Sequence, residues 1–552
     1  MLAGSGGSGF ARVTQSTVAV YASGTSFRGS SGPPAGAGSS VSLAMPIGGV
    51  DDATILVRGA QNVAISSPTI ASPLRLRLFF AHYVSVGGTL VPDALLPWDG
   101  SSRSTENLNQ PVWLQVTVPY GTAAGMYSGS VQVVADGNPT TIPIAVQVAD
   151  VTLPQPGQVS GSLLTAFNVS PQSYGAEVNK LYGVTANRSL PGLFSFLSSY
   201  RISPNNWGYG NPRSSAGYTK ARRWWLNKAG EMKVAVGNPR RFASMWIPVS
   251  SNRWSRDTYP GGLSPYAPQT WCSYLRSVHT FWQRQGWLAS FPYLWGMDEP
   301  GTARFGIVAG QARTTHACFP GGHLIVTGHP AERNRILWNG GSDDVDVWVV
   351  LASRYYGRYT AASGAGRNLA GATANLRMID QVRRRGKQIW TYTYRTGSHS
   401  TPGFSAVEPL SDPRMFVDWA ALEGITGLLY GEGTTTYSKE NPLVSNDRGL
   451  GSFVLIYPGR SGPVASARLE VLREGIEDWE ILNVVRQRHG ADEVRNLLSR
   501  LFSTSPSATR LGCRSGCQIR TGTRYAWPTW AHGASAPVKL ARMRVAALAA
   551  AS

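Results

Sequence analysis

The sequence predicts a multidomain protein in which an N-terminal β-sandwich precedes a (β/α)8 TIM-type barrel. Its 552 residues exceed the roughly 100–200 residues of a typical single domain. The first part of the chain consists of short strand-like segments separated by Gly, Ser and Pro, and short apolar runs then alternate with longer helical patterns. We therefore divide the chain into a β-sandwich (1–153), a barrel with a closing C-terminal helix (154–490) and a C-terminal extension (491–552).

Alternation of apolar and polar residues predicts the strands of the sandwich. The segment GSVQVV (129–134) leads through a turn at 136–139 into TIPIAVQV (141–148). The alternate apolar residues from Ile142 to Val148 then lie on one buried face of a hairpin. Proline lacks the N–H that a central strand needs, so the prolines of LPQPGQ (153–158) place the domain boundary there.

The second part of the chain contains eight apolar runs of strand length, which match the eight strands of a (β/α)8 barrel. Helical patterns lie between most of them; in SDPRMFVDWAALEG (411–424), Asp412 is the predicted cap and Pro413 lies in the first turn. A last amphipathic helix is predicted at 466–485. The candidate strands are SLLTAFNV (162–169), RISPNNWG (201–208), FASMWIPV (242–249), SFPYLWGM (290–297), HLIVTG (323–328), VDVWVVLA (345–352), QIWTYTY (388–394) and TGLLYGEG (426–433).

The formal charge of +20 raises the question of a nucleic-acid partner. Only seven of the 51 basic residues are lysines, and the arginines are scattered, as a GC-rich coding bias would also produce. We therefore expect no nucleic-acid partner; if the charge has a function, an anionic polysaccharide is an equal alternative. No run of about 18 apolar residues predicts a membrane span. The oligomeric state is left open.

Four cysteines are too few for a disulfide scaffold, and their spacing does not indicate a zinc site. Cys272 and Cys318 pair if their segments are neighbours, Cys513 and Cys517 can close a small loop, and free buried thiols are an equal alternative. Isolated histidines such as His329 are more often loop or core residues than ligands, so we expect no metal and no cofactor. The Gly/Ser-rich start lacks the pattern of a signal peptide. We expect a secreted or cell-surface protein whose start is a mature or engineered terminus, and the basic charge and Gly/Ser-rich ends also suit the alternative of an extracellular structural protein.

Two adjacent carboxylates end the fourth candidate strand, in LWGMDEPG (294–301). The active site of such a barrel lies at the carboxyl ends of its strands. At a strand-to-loop turn both Asp298 and Glu299 can reach one pocket, and Pro300 fixes the backbone that leaves it. Like charges held close together raise one pKa, as a general acid at neutral pH requires. The pair therefore predicts an acid and its helper.

Aromatic and amide side chains cluster at the other strand ends, as in a sugar-binding pocket where rings stack on pyranose faces. For any single residue, packing inside the barrel is an even alternative. The predicted members are Asn205, Asn206, Trp207, Trp246, Tyr293, Trp295, Trp390, Tyr392, Tyr394 and Tyr430.

The seventh strand offers no carboxylate that could act as the nucleophile of a retaining glycosidase. A 2-acetamido sugar can replace that nucleophile, because its amide oxygen can attack its own anomeric carbon. Such a reaction needs one residue to protonate the leaving oxygen and a second to hold the amide N–H. Adjacent Asp and Glu residues supply both.

Several stretches of the sequence resemble glycoside hydrolase family 123, whose best-known activity is β-N-acetylgalactosaminidase. The resemblance implies an N-terminal β-sandwich, a catalytic barrel and a retaining, substrate-assisted mechanism on a glycan. By this resemblance Glu299 is the acid/base, Asp298 orients the 2-acetamido group, and Tyr392 or Tyr394 contacts that group. The stretches are PDALLP (92–97), QPVWLQVTVPYGTAAGMYSGSVQV (110–133), YLWGMDEP (293–300), VDVWVV (345–350), GKQIWTYTY (386–394), RMFVDWAALEGITGLLY (414–430) and LIYPGRSGPVASARLEVLREGIEDWEIL (455–482).

Other residues leave alternatives open. Trp246, Trp295 and Arg473 are pocket candidates by motif position. However, Arg473 and Glu477 are four residues apart on a predicted helix, where such pairs often only stabilise the helix. For the helix segment that contains them we favour a structural role, in docking the helix on the barrel. Glu432 is an extra acid near the predicted pocket. Two alternatives to the substrate-assisted enzyme stay open. One is a glycosidase of the same fold that acts on another sugar with Glu432 and Glu299 as its two carboxylates. The other is a non-catalytic extracellular protein that binds carbohydrate or has a structural role.

Overall fold

The structure is a computed structural model, and it shows two β-sheets at the N-terminus followed by a parallel, barrel-like sheet with helices. The residues that it describes are 16–27, 29, 32–66, 68–101, 104–105, 108–205, 242–247, 268–300, 305–330, 345–352, 355, 358–360, 376–393, 401–431, 433–503, 523–525, 529–531 and 533–552.

The N-terminal region forms two five-stranded sheets. One has the order β1-β3-β8-β6-β7, and the other has the order β2-β10-β9-β4 with β5 paired to β9. Apolar residues of both sheets, such as Ile55, Val116, Val133 and Ile144, share one hydrophobic core, as the predicted sandwich requires. The strands are β1 (Thr17–Ala22), β2 (Val41–Ile47), β3 (Val50–Arg58), β4 (Val63–Ile65), β5 (Thr69–Ile70), β6 (Arg75–Val86), β7 (Thr89–Pro97), β8 (Gln110–Thr117), β9 (Gly125–Ala135) and β10 (Asn138–Thr152).

The predicted hairpin at 129–148 is confirmed. Strands β9 and β10 pair antiparallel, with Asn138 opposite Ala135 and Ile142 opposite Val131. The turn between them places Asp136 and Gly137 at φ of 50° and 81°, and this left-handed pair matches the twist of the two strands.

The barrel-like domain is built on a seven-stranded parallel sheet with the order β11-β18-β17-β15-β14-β13-β12. Its core contains the inward-facing aromatic residues Tyr293 and Trp390, whose rings meet edge to face at 5.9 Å. Gly427 leaves room for the Trp390 indole, since a Cβ there would lie 2.4 Å from it. The strands are β11 (Leu164–Phe167), β12 (Ser244–Trp246), β13 (Phe291–Trp295), β14 (His323–Thr327), β15 (Val347–Leu351), β17 (Gln388–Tyr392) and β18 (Gly427–Tyr430).

The predicted strand at 201–208 is reduced, within the described residues, to a single bridge between Phe167 and Pro204. The Phe167 N–H donates to Ser203 O at 3.0 Å, and the Asn205 N–H donates to Phe167 O at 2.9 Å. Because Pro204 has no N–H of its own, it cannot continue the ladder on that side. The segment still lies between β11 and β12, and it nearly closes the sheet into the predicted barrel.

Helices flank the sheet in the order of a TIM-like domain. Ser170 caps α1 by accepting the Ser173 N–H at 3.2 Å, and Gly183 ends it at φ 67°. The predicted cap of α5 is one residue off, because Ser411 precedes the helix and Asp412 begins it. Residues 376–384 are also helical. The bounds are α1 (Pro171–Tyr182), α2 (Ala186–Ser199), α3 (Pro268–Gln285), α4 (Phe305–Cys318), α5 (Asp412–Leu422), α6 (Ala467–His489), α7 (Ala491–Leu498) and α8 (Ala536–Ala551), with 3-10 turns at Trp287–Ala289, Arg448–Gly451 and Gly533–Ser535.

Helix α6 is buried on both its apolar and its charged faces. Predicted as an amphipathic helix docked on the barrel, it also contacts the N-terminal sheets through ion pairs: Arg468 Nη2 lies 2.6 Å from Asp93 Oδ2, and Glu477 accepts the Val50 N–H at 3.1 Å. The helix therefore joins the two regions through buried charges.

Short two-stranded sheets complete the described structure. They are β16 (Arg358–Thr360) with β22 (Thr523–Tyr525), β19 (Ile456–Tyr457) with β20 (Val464–Ala465), and β21 (Phe502–Ser503) with β23 (Thr529–Trp530). A disulfide joins Cys272 of α3 to Cys318 of α4, so of the open alternatives for these cysteines the structure shows the pair. Cys513 and Cys517 lie outside the described residues. Among the helices that the structure describes, none has the length and apolar character needed to cross a bilayer.

Candidate active site

The acid pair stands at the carboxyl end of β13, beyond a close approach to β14. The Gly296 N–H donates to Ile325 O at 2.9 Å, and a Cβ on Gly296 would lie 3.1 to 3.2 Å from neighbouring atoms of three residues. Glycine therefore lets the chain stay against the next strand before it turns out. Asp298 and Glu299, which follow, are both exposed. The two carboxylates that follow this apolar strand are therefore exposed to solvent at the barrel rim.

The backbone of Glu299 is left-handed, with φ of 40°. A non-glycine residue in this region costs on the order of 1–3 kcal/mol and persists only where surrounding contacts hold it. One such contact is direct: the Glu299 N–H donates to the Thr327 hydroxyl at 2.7 Å. The conformation of the acid pair is therefore coupled to the end of β14.

The same Thr327 hydroxyl donates to Asp298 Oδ1 at 2.7 Å. Thr327 is the last residue of β14, only 2% exposed, and it pairs with Val349 of β15. A single side chain on a rigid neighbouring strand thus contacts both acidic residues.

Tyr392 brings a third strand to the site. It is the last residue of β17, and its hydroxyl donates a hydrogen bond to Glu299 Oε1. The tyrosine is almost buried, whereas the carboxylate that it contacts is exposed. The strands β13, β14 and β17 therefore converge on Asp298, Glu299, Thr327 and Tyr392.

Two of the predicted aromatic residues lie near the same end of the sheet. Trp295 immediately precedes Gly296 and is half-buried against the core, and Trp246 ends the neighbouring strand β12 at 6% exposed. Asn205, also half-buried, lies at the end of the bridging segment. Their role in binding a sugar stays a prediction.

Other predicted pocket residues are core residues. Tyr293 is fully buried against Trp390 inside the barrel. The Tyr430 hydroxyl donates to Ser452 O at 2.6 Å, and its ring packs against Phe167 and Phe404. The structure therefore corrects their assignment to the pocket, because the strands have apolar residues on both faces and the sequence does not show which of them reach the rim.

Arg473 also lies elsewhere. It is buried in helix α6, where Nη2 is 3.0 Å from Asp52 Oδ2 and also pairs with Glu470, and its guanidinium carbon lies 5.0 Å from the centre of the Tyr200 ring. Its place at the contact with the N-terminal sheet corrects the pocket assignment and agrees with the structural role.

Four predicted residues, Asn206, Trp207, Tyr394 and Glu432, lie outside the described residues. His329 is buried and shares a hydrogen bond with Tyr355 O at 3.0 Å, as the core alternative predicts. Within the part of the chain that is described, no three His, Cys, Asp or Glu residues are placed to hold a metal ion.

Thr327 is the site residue that sequence reasoning missed. In HLIVTG the threonine did not stand out, because β-branched residues are common in strands and a glycine often follows a strand end. Its position was the one signal that could have identified it. Thr327 ends the strand that follows the acid pair in the chain, and parallel strands end at the same edge of the sheet, so its side chain is expected near the pair.

A known family model matches the part of the chain that contains these site residues. Residues 263–485 match the family model described as the catalytic domain of glycoside hydrolase 123. This segment is similar to the catalytic domains of family 123. The match spans Asp298, Glu299, Thr327 and Tyr392 and confirms the resemblance predicted from the sequence.

The fold of the whole chain is similar to that of a solved family 123 enzyme. The structure of a family 123 glycoside hydrolase from Clostridium perfringens, described in a study of glycolipid glycan hydrolysis, is 14% identical, with a TM-score of 0.64 over 97% of this chain and 98% of that one. A comparison with curated proteins found no match.

More distant similarities involve other sugar-acting proteins. An endo-β-1,4-mannanase from Thermotoga petrophila is 10% identical over 58% of this chain and 77% of its own, with a TM-score of 0.33. A β-D-glucuronidase from Dictyoglomus thermophilum is 12% identical over 77% of this chain and 66% of its own, with a TM-score of 0.31.

Proposed function

We propose that the protein is a retaining glycoside hydrolase that releases a 2-acetamido sugar, β-linked N-acetylgalactosamine, from a glycan by substrate-assisted catalysis. The observation that carries the proposal is the exposed pair Asp298 and Glu299, held at the barrel rim by two neutral hydroxyl donors from strands β14 and β17. The family match and the relative's action on glycolipid glycans support the substrate class.

In the first step the two carboxyl groups act on opposite parts of the sugar. Asp298 accepts a hydrogen bond from the N–H of the acetamido group and thereby orients that group. The amide oxygen then attacks the anomeric carbon, and a bicyclic oxazolinium ion forms. Glu299 donates a proton to the glycosidic oxygen as that C–O bond breaks. The Tyr392 hydroxyl donates to Oε1, and Oε2 is therefore the oxygen that we assign to proton transfer.

The second step returns the proton. Glu299, now a carboxylate, takes a proton from water, and the water oxygen attacks the anomeric carbon from the face that the leaving group vacated. The ring of the intermediate opens and the acetamido group is restored. Two displacements at one carbon give net retention of configuration.

The experiment that tests this function compares chromogenic β-glycosides that differ only at C2. We expect hydrolysis of the 2-acetamido galactoside and no measurable hydrolysis of the 2-hydroxy galactoside, since the latter lacks the internal nucleophile. Equal hydrolysis of both would favour a two-carboxylate mechanism, and no hydrolysis of any glycan or glycoside would favour a non-catalytic carbohydrate-binding protein.

Asp298→Asn provides the matched variant for this panel. Asparagine keeps the size of the side chain and removes the charge that stabilises the positive oxazolinium ring. We expect a hundredfold or larger fall in kcat on the 2-acetamido substrate, on the order that an acid–base group contributes. A variant as active as the wild type would place the site elsewhere.

We also propose that the protein functions outside the reducing cytoplasm, as a secreted or surface protein. The Cys272–Cys318 disulfide supports this location, since such bonds persist in oxidising compartments. Fractionation of cells that produce the protein natively tests it, and recovery only as a reduced cytoplasmic protein would contradict it.

A further inference from the structure

Thr327 contacts both acidic residues of the site and lies on a different strand from either of them. We propose that Thr327 is a positioning residue for the reaction: its hydroxyl sets the rotamer of Asp298 and the backbone of Glu299 together. The catalytic consequence rests on the proposed function, whereas the structural consequence for the acid pair does not.

The direction of the two hydrogen bonds follows from the chemistry of the groups. A backbone N–H can only donate, so the Glu299 N–H donates to Thr327 Oγ1. The hydroxyl has a single hydrogen, and that hydrogen is directed to Asp298 Oδ1. Asp298 Oδ1 is therefore an acceptor, and the second oxygen, Oδ2, is the one that we assign to the acetamido N–H.

Thr327 is well suited to fix its neighbours because it is itself fixed. Its backbone is part of the parallel ladder between β14 and β15, it is buried, and β-branching restricts its χ1 angle. Glu299, in contrast, holds a left-handed φ of 40° directly before Pro300, a conformation that needs outside support. The strand supplies that support through one hydroxyl.

The kinetic test uses three variants. Thr327→Val keeps the shape and removes the hydroxyl, and Thr327→Ser keeps the hydroxyl. Thr391→Val is the matched control, because Thr391 is a buried threonine of β17 whose hydroxyl donates to Val350 O at 2.9 Å. We expect Thr327→Val to lose about ten- to hundredfold in kcat with a smaller change in KM, as for a hydrogen bond to a charged group that is needed in the transition state. Thr327→Ser should recover most of the loss, and Thr391→Val should keep kcat within about twofold.

A double-mutant cycle separates positioning from a general loss of structure. If Thr327 acts through Asp298, then Thr327→Val should change kcat far less in an Asp298→Ala background than in the wild type. Equal effects in both backgrounds, or equal losses in Thr327→Val and Thr391→Val, would overturn the proposal.

A crystal structure of Thr327→Val tests the inference without any substrate. We expect Glu299 to leave the left-handed region or Asp298 to change rotamer, with both unchanged in Thr391→Val. If both residues keep their places in Thr327→Val, the inference fails whatever sugar the enzyme accepts. If they move but the wild type shows no preference for 2-acetamido sugars, the proposed function fails and the positioning role stands.

Discussion

Acidic residues occupy two contrasting regions of this molecule. At the barrel rim, Asp298 and Glu299 are exposed and accept hydrogen bonds from the neutral hydroxyls of Thr327 and Tyr392. Along helix α6 the acidic residues are buried and face arginines. Asp478, for example, accepts from Arg414 Nε at 2.6 Å.

The difference lies in what each setting allows a carboxylate to do. A buried carboxylate beside a guanidinium is held in place by attraction, and removing its partner leaves an uncompensated charge. A carboxylate at an open rim can exchange a proton and meet a substrate, since hydroxyl donors orient it without neutralising it. We therefore assign chemistry to the rim pair and assembly of the two regions to α6.

The largest expected effect of a single substitution is on catalysis at the rim. Glu299→Gln removes the transferable proton, and we expect kcat to fall by about a hundred- to ten-thousandfold. The free energy of unfolding should change by less than about 0.5 kcal/mol, because the side chain is exposed. Steady-state kinetics and urea unfolding of the same preparation measure both, and a stability loss that accounts for the lost activity would remove the contrast between the regions.

The reverse pattern is expected in α6. Arg468 donates to both carboxyl oxygens of Asp93 and to the carbonyls of Phe404, Gly451 and Val454. Arg468→Met should cost about 3–5 kcal/mol of unfolding free energy, as for a broken buried pair. The kcat of the molecules that remain folded should be close to the wild-type value. A stable but inactive variant would show instead that this helix belongs to the active site.

A pH-dependent effect should come from the same helix. Burial raises the pKa of Glu474 to about 7 and that of Glu480 to about 8, from 4.5 in the unfolded chain, with Arg414 and Arg201 opposing the shifts. Between pH 4.5 and these values the folded state binds more protons than the unfolded state, so stability falls as the pH rises.

We expect the free energy of unfolding at pH 9 to be lower than at pH 5.5 by on the order of 5 kcal/mol, with Glu480 contributing the larger part. Unfolding curves at several pH values measure this slope. Glu480→Gln should flatten it, since glutamine does not titrate, and stability that rises through this range would contradict the assignment.

The smallest effect is expected at an ordinary surface pair. Arg495 and Asp492 of α7 form an ion pair with side chains 52% and 86% exposed. Arg495→Met should change the unfolding free energy by less than about 1 kcal/mol. This variant is the control for Arg468→Met, and a loss as large in both would show that burial does not set the cost.

The features of the fold that depend on local pattern could be predicted from the sequence. Apolar runs placed the barrel strands, and the turn at Asp136 and Gly137 placed a hairpin. The acid pair could be predicted as a candidate site because two adjacent carboxylates at the end of an apolar strand are seldom needed for packing.

Features that depend on tertiary contacts could not be predicted. The motif of α6 predicted a docking role for the helix but not its ion-pair partners, because nothing local shows that Arg468 meets Asp93, which is 375 positions away. Tyr293 and Tyr430 are aromatic residues in strands with two apolar faces, and only the closure of the sheet decides which of them reach the rim. Thr327 has the composition of any strand end, and its role lies in its hydrogen bonds.

In the proposed mechanism, the sugar's own acetamido group displaces the leaving group while Asp298 and Glu299 assist it. The decisive measurement is inhibition by the thiazoline derived from N-acetylgalactosamine, which is a stable mimic of the oxazolinium intermediate. We expect competitive inhibition of the wild type at concentrations far below the KM of the matching substrate, and weaker inhibition of Asp298→Asn. Efficient turnover of a 2-acetamido glycoside that the thiazoline leaves unaffected would contradict it.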